Sequence, residues 1–316
     1  MNRDFIDYFS VGGAPVSFDG NSLVAPNAVI PIRNGIPRFT PNVSYSSGNF
    51  SRLREQHAKL QFDSVNGTGD RRTTLLSRTG WPEEYFKGKT VLECGCGAGP
   101  DTEILLSLGA RVISVDLAGV DVAKLNIGDN PNHCLIQASI LDLPLREKSF
   151  DIVFCHRVLQ HTPNPEATLR HILRFVRPDG AAFVHSYAKT IYQMLRWKYA
   201  LRPLTKRMDS ERLYRLIEWY SRPAFKVTRF LNSFYLGKVF TWVAIPFLNY
   251  RHVPQFKDRD DKWIIELAVH DTFDALSPPY DRPLSAKTMR NIGAEYLDRP
   301  IEVVEEKMIT LLRTLL

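Results

Sequence analysis

The stretch Val91-Leu92-Glu93-Cys94-Gly95-Cys96-Gly97-Ala98-Gly99 constrains this chain more than any other. A short apolar run ends on an acid and is followed by glycines at alternate positions. That is the text of a buried strand that stops at Glu93 and turns on residues with no side chain, so that a ligand can approach the backbone beside a helix start. Dinucleotide-binding folds use a similar turn, and spacing separates the two. Their G-x-G-x-x-G pattern would need a third glycine at position 100, where Pro100 stands.

Around this turn, residues 89–187 alternate strand and helix signals, which predicts a parallel sheet with crossover helices. The strands are expected at 90–93, 111–116, 134–137, 150–155 and 181–186, with a turn at Arg177-Pro178-Asp179-Gly180 before the last. Helices fit at 100–108, 120–127 and 165–175. Upstream, Phe50, Leu53, His57 and Leu60 recur at helical spacing, and residues 1–48 read as a small β-rich lobe. Downstream, 263–273 and 285–297 look helical, 301–305 reads as a strand, and 308–315 suits a strand or a helix.

The chain has 316 residues and a formal net charge of +7, but the charge is uneven. Residues 189–262 hold 16 Lys plus Arg against 6 Asp plus Glu, a surplus larger than that of the whole chain. In this segment Leu195, Tyr199, Leu213, Trp219, Phe225 and Phe234 are interleaved with the cations, predicting basic amphipathic helices. Its most apolar part, 236–250, is too short to span a bilayer. Four cysteines without metal-ligand spacing and a first stretch without an apolar signal core predict a cytoplasmic protein, peripheral to the inner membrane face if the basic segment meets lipid.

Taken in order, the E-x-G-x-G-x-G turn, Asp116 closing the second strand, Leu143-Pro144 and Phe150-Asp151 resemble the class I S-adenosylmethionine (SAM)-dependent methyltransferases of the bacterial small-molecule and glycan type. The resemblance implies a mostly parallel, seven-stranded Rossmann-like sheet with SAM as cofactor. It places Glu93, Gly95, Gly97 and Gly99 at the methionine side, Asp116 on the ribose hydroxyls and Leu117 on the adenine. Where the family shows G-D-A, this chain has Ala138-Ser139-Ile140, so that Ser139 or the Ile140 backbone takes over the adenine contact. Cys155, ending the fourth strand, joins the same donor set. The first 48 residues are similar to a zinc-ribbon leader, but Ala25, Ala28, Tyr8 and Val11 stand where two CxxC pairs would be, which implies a ribbon without its metal.

The phrase from Cys155-His156-Arg157 to His161-Thr162-Pro163-Asn164-Pro165 resembles the family's V-L-x-H-x-x-D-P signature, and 270–280 resembles its D-x-x-D-x-x-x-P-x-Y stretch. The candidate catalytic residues are therefore His156, His161, Asp271 and Tyr280. Histidine titrates near neutrality and a carboxylate can take a hydroxyl proton; loop-capping roles for His161 and Asp274 are the ordinary alternative. The division expected is 1–48 leader, 49–187 helices and SAM-binding core, 188–262 basic insertion, and 263–316 completing the fold. The insertion suits an acceptor lid, a dimer interface or a peripheral membrane contact.

The expected function is methyl transfer, on oxygen, to a small or lipid-linked acceptor in envelope glycan or secondary-metabolite biosynthesis. The alternatives are a SAM-binding protein that has lost its chemistry and a nucleic-acid methyltransferase. The lack of an N-P-P-Y-type phrase after the fourth strand argues against nucleic acid as the partner.

Overall fold

The computed structural model describes residues 2–40 and 60–316. Of the helical pattern expected around residue 50, Phe50, Leu53 and His57 lie outside the described residues, whereas Leu60 opens a turn into α1 (Asp63–Asn66) and α2 (Asp70–Thr79). Asp63 caps α2 from a distance: its carboxylate accepts from the backbone N–H groups of Arg71 at 3.0 Å and Arg72 at 2.9 Å. Two orphan donors of the first helical turn are satisfied in this way.

The N-terminal lobe comprises a hairpin, β1 (Ser10–Val11) with β2 (Ala14–Pro15), and a four-stranded antiparallel sheet, β3 (Ser17–Phe18), β4 (Ser22–Ala25), β5 (Ala28–Arg33) and β6 (Ile36–Pro37). Ala25 and Ala28 face each other across the β4–β5 turn. The lobe does not stand apart. Phe5, Phe9, Leu23 and Ile30 belong to the main core, and the Phe39 N–H donates to the Gln137 carbonyl at 2.9 Å on the edge of the large sheet.

That sheet consists of β7 (Thr90–Cys94), β8 (Arg111–Asp116), β9 (His133–Gln137), β10 (Phe150–Cys155), β11 (Val176–Tyr187), β12 (Ile301–Glu305) and β13 (Ile309–Thr314). Its order is β12-β13-β11-β10-β7-β8-β9; six of these strands share one direction, and β13 runs against its neighbours β11 and β12. Segment 308–315, readable as strand or helix from its text, is strand because Leu311 and Leu312 fill opposite faces of this sheet. The strand order reverses beside β7, so a crevice opens beyond the carboxyl ends of β7 and β10. The Arg177–Gly180 turn lies inside β11 as a bulge: Phe150 pairs with Val176, but Ile152 already pairs with Ala181. Asp179, at φ 58°, makes that turn.

α3 (Pro100–Ser107), α4 (Val120–Ile127), α5 (Pro165–Leu173) and α11 (Ala286–Tyr296) accompany these strands. Two apolar clusters result, one on each side, the larger reaching Met289 and Ile292 of α11 and the smaller Leu75 of α2 and Ile104 of α3.

A third core belongs to the helical unit of α6 (Ile191–Met194), α7 (Trp197–Thr205), α8 (Ser210–Leu231), α9 (Tyr235–Ala244) and α10 (Asp261–Leu276). Trp197, Leu213, Ile217 and Phe225 pack on Ile264, Ala268 and Phe273. The packing unit therefore extends to Leu276, beyond the 262/263 boundary that charge suggests. Lys198 of α7 and Asp281 fix it to the rest, Nζ to Oδ2 at 2.6 Å with both side chains only 1% exposed, while the Tyr199 hydroxyl donates to Asp281 Oδ1 at 3.2 Å.

Candidate active site

The glycine turn follows β7 with Gly95 at φ 83°, Gly97 at 60° and Gly99 at 98°, conformations that side-chain-bearing residues rarely take. A Cβ on Gly95 would also lie 2.4 Å from Val158 Cγ2, in the loop after β10. The turn is held from below by Asp116, whose Oδ2 accepts from the Gly97 N–H at 2.9 Å while Oδ1 accepts from the Ala118 and Gly119 N–H groups, both at 2.9 Å. A ribose hydroxyl placed on Asp116 would share the carboxylate with those three donors.

Glu93 lies beneath the turn, 2% exposed. Its Oε2 accepts from the Thr102 hydroxyl at 2.6 Å and the Ser114 hydroxyl at 2.7 Å, but buried Oε1 has no hydrogen-bond partner among the described residues. Burial pushes its pKa up to about 7. An orphaned carboxylate oxygen below a glycine turn fits the ammonium end of a methionine moiety, so the donor set of Glu93, the turn and Asp116 is compatible with SAM. The other residues expected there are arranged as follows. The Leu117 carbonyl accepts from Gln137 Nε2 at 3.0 Å, the Ser139 hydroxyl accepts from the Leu141 N–H at 3.2 Å, and Ile140 is buried. Cys155 is fully buried with its thiol pushed up to about 12, which keeps it protonated and inert.

A buried polar chain links α2, before the turn, with α3, after it, and with the end of β10. Arg71 of α2 holds Asp101 of α3 with two hydrogen bonds, each 2.7 Å. Asp101 Oδ2 accepts from His156 Nδ1 at 2.9 Å, and His156 Nε2 lies 2.6 Å from Arg78 Nη1. A guanidinium can only donate, so Nε2 is the acceptor and Nδ1 carries the proton. Burial depresses His156 to about 3 against the pull of Asp101, which is itself held ionised well below the usual carboxylate range by Arg71 and His156 despite its burial. His156 is thus a neutral link with both ring nitrogens engaged inside the protein, neither of them facing an acceptor.

Arg71 and Arg78, the two ends of this chain, line a cavity of about 400 Å³ enclosed by α1 and α2, the carboxyl ends of the strands and the helical unit. Arg157, His185 and Tyr187 form the sheet side; Arg196, Tyr250, Trp263, Asp271 and Asp274 form the helical side. Arg157, directly after His156, adopts φ 64°, a strained conformation for arginine. His185 Nδ1 is buried without a hydrogen-bond partner among the described residues. Asp271 accepts from the Tyr250 hydroxyl and from His270 Nδ1, the latter at 2.8 Å. Burial raises its pKa, yet the hydrogen bonds from His270 and Tyr250 outweigh that and leave it below the ordinary value.

Asp271 is therefore the predicted catalytic residue that the structure brings to the cavity wall. His161 and Tyr280 meet elsewhere: His161 Nδ1 donates to the Tyr280 carbonyl at 3.2 Å, next to the Arg282 N–H that donates to the Gln160 carbonyl at 2.9 Å. They clasp the loop after β10 to the segment before α11, and neither lines the cavity. Sequence reasoning missed Arg71, Arg78, Asp101, Arg157 and His185. Asp101 carries no distinguishing signal in the sequence, since an acid in the first turn of a helix is ordinary; Arg157 carries the better signal, since it stands inside the phrase containing both candidate histidines.

The family model described as a methyltransferase domain matches residues 92–184. A ubiquinone biosynthesis O-methyltransferase of Pseudomonas fluorescens (strain Pf0-1) is 34% identical over 113 residues, covering 34% of this chain and 48% of the relative. Its counterpart in Neisseria meningitidis serogroup C (strain 053442) is 30% identical over 152 residues, covering 45% and 56%. The chain thus spans about half the length of these relatives. Among solved structures, Haemonchus contortus phosphoethanolamine N-methyltransferase 2 in complex with S-adenosyl-L-methionine is 20% identical at a TM-score of 0.38, covering 48% of this chain and 37% of that one. Residues 92–184, the stretch matched by the methyltransferase-domain model, lie in a seven-stranded sheet of the class I methyltransferase fold.

Proposed function

We propose that this methyltransferase domain serves a SAM-dependent O-methyltransferase whose acceptor, a small or lipid-linked molecule with an acidic hydroxyl, binds in the cavity beside Asp271. The observation that carries this reading is the Arg71–Asp101–His156–Arg78 chain. Its centre is Asp101, on the helix that follows the donor turn, and its two arginines, Arg71 and Arg78, both line the cavity, so the network ties that helix to the cavity wall. The cavity's volume of about 400 Å³ lies within the range of small-molecule sites, roughly 300–1,000 Å³.

SAM, when bound, supplies a methyl group already activated by its sulfonium. The chain's own residues then have two tasks, to align an oxygen and to accept its proton. Asp271 is the group placed to take that proton, with Tyr250 and His270 fixing its carboxylate. Its low pKa makes it a weak base, which suits a phenol, with a pKa of roughly 10, better than a sugar hydroxyl. Arg78 and Arg157 support the same choice, because a cation beside a developing phenolate favours ionisation. The name of the Pseudomonas relative, an O-methyltransferase, points to oxygen as well.

Calorimetric titration with SAM, followed by transfer of labelled methyl to phenolic acids, catechols and sugars, tests the reading. Binding together with a labelled aryl ether is expected. Absence of SAM binding would overturn the enzyme reading; binding without turnover on any acceptor would indicate a SAM-binding protein; label on nitrogen or on a sugar would overturn the phenol assignment.

A further inference from the structure

Sixteen of the 23 large apolar side chains that stand exposed among the described residues lie between 191 and 243. They are organised. On α8, at about 100° per residue, Leu213, Tyr214, Ile217, Ser221, Phe225 and Thr228 form the buried stripe. Leu216, Trp219, Val227 and Phe230 fall within about 80° of arc on another side, and all are exposed, Trp219 by 80%. Arg215, Arg222 and Lys226 occupy the border between the two stripes and are exposed.

Helix α9 goes further. It turns Gly237 and Thr241 inward and Leu236, Val239, Phe240 and Val243 outward, a complete i, i+3, i+4, i+7 apolar ridge facing away from the protein. The inward glycine is required, since a Cβ there would lie 2.0 Å from the Leu231 carbonyl oxygen. The two exposed stripes join where the Phe230 and Phe234 rings meet at 5.8 Å. Stacking of Tyr192 on Trp242, at 4.6 Å, brings in Ile191, Met194 and Leu195 from α6.

We propose that this face docks on the surface of an anionic lipid bilayer. Continuous apolar patches of this kind mark interaction sites, and the charge around the patch selects the occupant. Residues 191–243 carry 11 Lys plus Arg against 3 acids. A second copy of the chain would bring Arg222, Lys226 and Lys238 against their equivalents, whereas anionic headgroups complement them. No helix among the described residues is long and apolar enough to cross a membrane, so the contact is one of helices lying in the interface. From α9 the chain passes directly through 245–249 to Tyr250 on the cavity wall. The proposal stands independently of the methyl-transfer reading.

Flotation of the full chain with vesicles tests it. Vesicles of phosphatidylcholine with 30% phosphatidylglycerol (roughly the anionic content needed for such attraction) are expected to bind at least about tenfold more protein than phosphatidylcholine alone, with the excess lost at high salt. Combined Leu236→Ser, Phe240→Ser and Val243→Ser, and separately combined Arg222→Glu, Lys226→Glu and Lys238→Glu, should each reduce binding about tenfold. Should the serine variant fail to fold, quenching of Trp219 fluorescence by brominated lipid, lost in Trp219→Phe, reads the same contact in the native chain. No binding to anionic vesicles at low salt overturns the proposal. So does a concentration-dependent dimer that the serine substitutions dissolve, which would assign the face to a second copy.

Discussion

In the sheet, the strands next to the donor turn send every large apolar side chain inward; β7 is buried along its whole length and β8 and β10 at all but one position each. In the helical unit the same kind of residue goes both ways: α8 carries two apolar stripes and α9 presents its larger side chains to the outside. Each strand buries its polar backbone in ladder hydrogen bonds, so its side chains are selected for the two cores. A helix satisfies its backbone internally and leaves a second face open to selection for something else. The sheet's composition thus reports stability, and that of the helical unit reports stability together with an outer apolar face that its core does not use.

Separating the two regions gives the largest expected effect. Lys198→Met breaks the buried pair with Asp281 and leaves a carboxylate without its cation, which is expected to destabilise the protein by about 3–5 kcal/mol. If the helical unit has its own cooperativity, denaturant unfolding followed by tryptophan fluorescence and by circular dichroism will cease to coincide. Coincident transitions in the variant would show that the two regions unfold as one. Asp271→Asn addresses the cavity that they share: kcat is expected to fall about 100-fold with little change in SAM affinity, since a positioned base contributes roughly 10²–10⁴. An unchanged kcat would remove Asp271 from proton transfer.

Acid acts on the sheet side. Burial holds His133 at about 4, His156 at about 3 and His185 well below the ordinary histidine value. As pH falls below 6.5, the unfolded chain takes up three protons that the native one refuses, so stability is lost on acidification. Glu93, raised by burial to about 7, works in the opposite direction: the native state gains its proton before the unfolded state does and offsets one histidine. The balance of two protons predicts a loss of about 2–3 kcal/mol between pH 6 and pH 5, measurable by chemical denaturation. A flat profile would mean that these histidines are protonated in the native state. The smallest effect belongs to the outer face of α9, where Phe240→Ser should change stability by no more than about 0.5 kcal/mol although it removes a large aromatic ring. A loss of several kcal/mol would show that Phe240 is part of a core.

The sheet was legible because its signals are local. β7, β8 and β10 follow from apolar runs ending in Gly, Asp or Cys, and the glycine turn with Asp116 announces a nucleotide-like crevice. What escaped depends on distance in sequence. Arg71, Asp101 and His156 come from three separate elements and acquire meaning only as one hydrogen-bonded chain; no spacing rule links position 71 with position 156. His156 looked like a base because histidine titrates near neutrality, whereas burial between Asp101 and Arg78 makes it a fixed, neutral connector. The amphipathic text of 188–262 predicted basic helices, but only packing reveals that Phe225 faces in and Phe230 faces out.

The close approach of Gly95 to Val158 bears on how the two reactants bind. Donor turn and acceptor-side loop are separated by less than the width of one carbon atom, since a single methyl on Gly95 would overlap Val158. A shift of the turn toward that loop must therefore displace Val158. If binding on one side moves this contact, the equilibrium affinities for the two reactants are interdependent, each altering the other by the same factor when either is titrated with and without its partner.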